Sequence, residues 1–189
     1  MIKAVRRLAG ALWKGRAIST NPSQSHDSLD SREQGLAHLD LGADKQSGEV
    51  IRLLNEAFVS RESDDVDHAL GLMGEVGFRP SFLPMLIKLL DASWHKSHEA
   101  LIVLFQEVKE PDTVDALYRA ALVTHAYREY DDYGALIRRC TWALADIGTP
   151  EARNRLELLA ASADELIAAF AQRRLDRWEN ELHRKGKVL

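Results

Sequence analysis

From Glu49 onward, apolar residues recur three and four positions apart, which predicts one helix after another. Val50, Leu53, Leu54, Ala57 and Phe58 mark the first, over 49–59. Ser63, with acidic residues behind it, reads as the N-cap of a second that runs to Val76 and stops at Gly77. A third is expected from Ser81 to Leu90, with Pro84 tolerated in its first turn, and a fourth from Trp94 to Val108. Pro111 opens the fifth, and the sixth spans Tyr133 to Ile147 before Gly148. Thr149 and Pro150 signal the seventh, N-cap then first helical position, ending near Ala161. The eighth follows Ser162 towards Leu182. Alternating strand segments with hairpin turns are missing, so the expected class is all-α. Residues 1–18 read as an amphipathic helix, 19–48 as a polar linker or mobile loop, 49–183 as the folded body and 184–189 as a basic tail.

Three predicted helix ends look alike. Glu75-Val76-Gly77 precedes Pro80, Glu107-Val108 precedes Pro111, and Asp146-Ile147-Gly148 precedes Pro150, at spacings of 32 and 39 residues. With a shift of 39, Leu101, Leu104, Phe105 and Val108 fall on Cys140, Ala143, Leu144 and Ile147, one buried face repeated. A lone hairpin cannot cover such a face, so hairpins are expected to stack. The run from Arg138 to Ala152 (RRCTWALADIGTPEA), followed by Leu156 and Leu159, resembles the HEAT-repeat family in its short bacterial form, also found in phycobilin-lyase-like proteins. The resemblance covers roughly 49–175. It implies an α-solenoid of about four antiparallel helix pairs, with the second helix of each pair lining a concave surface.

Composition narrows the function classes. The single cysteine, Cys140, excludes an intrachain disulfide framework and fits a reducing, cytoplasmic setting. Apolar runs stay short of a membrane span. The basic, amphipathic segment Met1–Lys14 suits packing on the fold or on a partner better than membrane contact. Residues 49–150 hold 17 acidic against 10 basic groups, net −7, while 1–48 are net +2 and 151–189 net +1. An acidic middle argues against nucleic acid and for a basic partner.

Candidate chemistry is sparse. Trp94-His95-Lys96-Ser97-His98-Glu99 brings two histidines and a glutamate together, but at i, i+3 rather than the i, i+4 of a helical metal site. The blander reading places His98 in a helix interface and His95 on the surface. Tyr127-Arg128-Glu129-Tyr130-Asp131-Asp132-Tyr133 lacks the glycine turn of a calcium loop. It suits contact with a protein, or is a plain solvated loop. Arg138, Arg139 and Trp142 are residue types that dominate interfaces. Alternatively, one of the arginines bridges to an acidic residue of the neighbouring repeat, as the resemblance implies. Cys140 falls on the core stripe. Phosphate-binding glycine loops, nucleophile elbows and paired cysteines are missing from the sequence, so a non-enzymatic role without metal or cofactor is expected.

A second resemblance rests on Trp94-His95 with His98-Glu99, on Pro111-Asp112-Thr113-Val114 and Leu117-Tyr118, on the Tyr130–Tyr133 loop and on Trp142-Ala143-Leu144. Together these look like small bacterial HEAT proteins of polymorphic toxin systems. That resemblance implies an immunity protein that binds a basic toxin domain and blocks its active site. Trp94, His95, Glu99, Gln106, Tyr127, Tyr130, Asp131, Asp132, Arg138 and Trp142 are the expected partner-binding residues. A general scaffold, a bilin-lyase-like enzyme and a DNA-repair protein of the alkylpurine glycosylase type are the alternatives. The last needs a basic channel that the acidic middle does not offer.

Overall fold

The computed structural model of the protein describes residues 45–131 and 134–180. The expectations for residues 1–18 and 184–189, and for nearly all of 19–48, lie outside them. The described residues are helical with no strand, as the periodicity predicts. The reading of 49–183 as one stack meets a division between Leu83 and Pro84, which separates two compact units.

In the first unit, α1 covers 45–60 and buries Val50, Leu54 and Ala57. Helix α2, Ser63–Val76, buries Val66, Ala69, Leu70 and Met73. Ser63 is not its N-cap: Glu62 holds that place with no side-chain bond, while Asp64 and Asp65 put negative charge at the positive end of the helix. The Ser60 hydroxyl donates to Asp65 Oδ2 (2.8 Å), a side-chain contact that leaves the start of the helix without a serine cap. A 3-10 turn, Pro80–Phe82, carries Phe82 into the core, edge-on to Phe78 at 6.5 Å.

In the second unit, α3 (Leu83–Leu90, starting on the last residue of the first) is followed by α4, His98–Val108. A 3-10 turn at Pro111–Thr113 leads into α5, Val114–Ala121. A second, Ala126–Asp131, precedes α6, Gly134–Ile147. Then come α7, Pro150–Ala160, and α8, Glu165–Leu175. The Thr149 hydroxyl accepts from Ala152 N (3.2 Å), the cap expected there, and Asp164 caps α8 through Leu166 N and Ile167 N.

The three look-alike helix ends close in one way. Gly77 (φ 87°), Lys109 (φ 55°) and Gly148 (φ 66°) each turn to positive φ. Each then donates its backbone N–H four residues back, to Met73, Phe105 and Leu144. Lysine in this conformation is uncommon, so the middle turn is held against a steric preference that glycine avoids.

Helices α4, α6 and α8 pack side by side in one row, and α5 and α7 in another, with α6 touching α4, α5, α7 and α8. Side-chain links within the rows keep constant offsets. Glu99 meets Arg139 and Gln106 meets Asp146, forty positions apart, as do Asp115 and Arg155 in the other row. Two links at one offset mean that α4 and α6 run parallel and in register. Three of the four superposed pairs are buried on both sides, Leu101, Leu104 and Phe105 answering to Cys140, Ala143 and Leu144; in the fourth, Ile147 is buried and Val108 only partly so.

Candidate functional site

The most conspicuous run in the sequence folds inward. His95, expected on the surface and in contact with a partner, is 1% exposed. Its Nε2 donates to Leu89 O at the end of α3 (2.7 Å), and its Nδ1 accepts from Ser97 N (3.1 Å). Those two bonds fix a neutral ring protonated on Nε2. They also explain why α4 begins at His98 and not at Trp94: the backbone of 94–97 wraps around the imidazole. Trp94 is half-buried, edge-on to His95 at 5.0 Å.

His98 stacks on His95 (4.3 Å between centroids) and lies 3.8 Å from His125, with Tyr127 alongside. Its Nε2 donates to Ala92 O (2.7 Å), leaving Nδ1 to accept from the Tyr127 hydroxyl (2.9 Å). Burial, reinforced by His95 and His125, pushes His98 down to about 3, and burial with His95 lowers His125. This cluster ties the end of α3, the start of α4 and the 126–131 turn together. The ring nitrogens of His95 and His98 face carbonyls, an N–H and a hydroxyl. Among the described residues no three His, Cys, Asp or Glu side chains converge as metal ligands would. Nothing in the sequence singled out His125, whose spacing from His98 matches no motif.

Next to the cluster runs the seam between α4 and α6. Glu99 accepts from Arg139 Nε (2.9 Å) through one oxygen and from Arg128 Nη1 (3.1 Å) through the other. Gln106 donates to Asp146 Oδ2 (2.6 Å). Glu99 and Gln106, expected to face a partner, thus spend their polar atoms within the fold. The bridge to the neighbouring helix is made by Arg139, and Arg138 stays exposed.

The seam between α6 and α8 differs. Trp142 is 46% exposed and Leu166 38%. The Arg174 guanidinium lies over the Trp142 ring, 5.2 Å from its centre. Tyr130 and Asp131 close the 126–131 turn, but their side chains, and all of Asp132, lie outside the described residues. Cys140 is fully buried, and burial pushes its thiol up to about 12, which suits a core residue and not a nucleophile.

A concavity of about 650 Å³ opens in the other row, between the starts of α5 and α7. Asp112, Asp115, Glu151 and Asn154 line it together with Pro111, Pro150 and Arg155. Arg155 Nε donates to Asp115 Oδ1 (2.7 Å) and its guanidinium sits over Tyr118. Carboxylates therefore outnumber the one arginine on its walls. None of these residues is among the ten expected from sequence. The available signal was the repeat itself, since Pro111-Asp112 and Pro150-Glu151, and Asp115 and Asn154, are equivalent under the 39-residue shift. Comparison of the chain with protein-family models, curated proteins and solved structures finds no match.

Proposed function

We propose that the chain is a protein-binding module, an α-solenoid of HEAT-like helix pairs that holds a basic element of a partner in the groove between α5 and α7. The observation that carries this reading is that groove: two equivalent proline-started helix ends, set side by side, present Asp112, Asp115 and Glu151 around one concavity. Neighbouring helices set side by side within a row, at offsets of forty residues from α4 to α6 and thirty-two from α6 to α8, support the solenoid, because stacked repeats place equivalent helices next to one another. The acidic walls favour rapid, salt-sensitive association with a basic surface. Neutralisation of a basic toxin domain, by covering its active site, is the specific form of this reading, and it rests on the resemblance alone. The test is co-expression with the domain encoded by the adjacent gene, followed by affinity capture. A stable complex that loosens in salt and is lost in the double variant D112K/E151K is the expected result. Capture of no complex, or one indifferent to D112K/E151K, overturns it.

A further inference from the structure

The outward strip of α6 is narrow, because Leu136, Ile137, Cys140, Ala143, Leu144 and Ile147 are all buried among its neighbours. On its α8 side the strip reads Gly134, Arg138, Trp142, one residue per turn. A Cβ on Gly134 would lie 3.7 Å from Leu166 Cδ2 and 3.9 Å from Phe170 Cε2, so both α8 side chains border the strip where α6 has no side chain of its own. Further along, Arg174 backs Trp142. Arg173, exposed, falls on the same face of α8 as Leu166, two turns on. Asp146 is turned to Gln106 on the α4 side, and Glu165 sits about 100° round the helix from Leu166. The result is an aromatic and aliphatic floor, Trp142, Leu166 and Phe170, flanked by the exposed guanidiniums of Arg138 and Arg173, in a chain whose net charge is −4.

We infer that this strip is a second docking surface, which takes an acidic segment of a partner protein with apolar side chains between its carboxylates. The carboxylates pair with Arg138 and Arg173, where guanidinium geometry favours two-point contact, and the apolar side chains cover Trp142 and Leu166. Tryptophan and arginine at a half-open position are the combination that concentrates binding energy. The surface lies on the α4–α6–α8 row, away from the α5–α7 groove, and the inference stands independently of what the groove binds.

The test uses the full chain and two fluorescein-labelled peptides, one alternating Glu and Leu and one alternating Lys and Leu, followed by anisotropy. The Glu–Leu peptide binds saturably, and R138E and W142A each weaken it by about tenfold or more. D112K/E151K leaves it unchanged, which separates this surface from the groove, and circular dichroism of each variant verifies the fold. Equal binding of the Lys–Leu peptide by the D112K/E151K variant, no saturable binding of the Glu–Leu peptide, or indifference to R138E overturns the inference. So does tighter binding of an oligothymidine, which would assign the arginines to phosphates. A self-association in sedimentation that W142A abolishes would assign the strip to a second copy of the chain and equally overturn it.

Discussion

Helix α6 has a seam on either side. Towards α4 it is stitched shut by Glu99 with Arg139 and by Gln106 with Asp146, at an offset of forty residues. Towards α8 the offset falls to thirty-two, from Gly134 to Leu166 and from Trp142 to Arg174. There the Arg174 guanidinium lies over the half-exposed Trp142 ring. The two seams are built from similar residue types, arginine with aromatic or acidic neighbours. Pairing within the row removes a seam from the surface available to partners; leaving it unpaired keeps it available. Conspicuous polar and aromatic side chains are therefore poor guides until their partners are known.

The contrast is open to measurement. The largest effect belongs to the helix that both seams share: Leu144→Ala, at a fully buried position, lowers stability by about 3 kcal/mol in denaturant titration. Acid comes next, through the histidine cluster beside the closed seam. The folded value of His98 lies below its ordinary 6.5, at about 3, so the unfolded chain takes the proton first. The contribution of His98 is intact above about pH 6.5 and is lost as the pH falls towards 3. Denaturant titrations across that window show a shallower slope for His98→Gln than for the native chain. Glu99→Gln removes the partner of both Arg128 and Arg139; with Glu99 and Arg139 partly exposed, the loss is about 1 kcal/mol. A double-mutant cycle with Arg139→Gln gives a smaller coupling. Smallest of all, Trp142→Ala on the open seam changes stability by no more than about 0.5 kcal/mol. A large loss there would show that the ring holds the row together, and the contrast between the seams would fail.

Much of the helix order was legible because it depends on local signals. Periodicity located the helices, Thr149-Pro150 located a start, and the repeated acidic–aliphatic ends located three turns that share a positive φ. The candidate site was far less legible. His95 looked exposed because a polar residue between Trp94 and Lys96 in a presumed helix should face water; its burial depends on Leu89 O, which sequence does not place beside it. The choice of Arg139 over Arg138 as the bridging residue turns on about 100° of helix rotation, finer than apolar spacing fixes. Trp142, read from its residue type as a partner contact, lies exposed between buried Thr141 and Ala143. The acidic groove escaped because its residues are ordinary singly and meet only through the register of α5 and α7.

The lone cysteine sits at the centre of that register. With no exposed surface and a proton it holds to about pH 12, the Cys140 sulfur meets a thiol reagent only when α6 leaves its neighbours. The chain thus carries its own clock: the labelling rate in native buffer counts the openings of its central helix, and a ligand that clasps α6 would slow it.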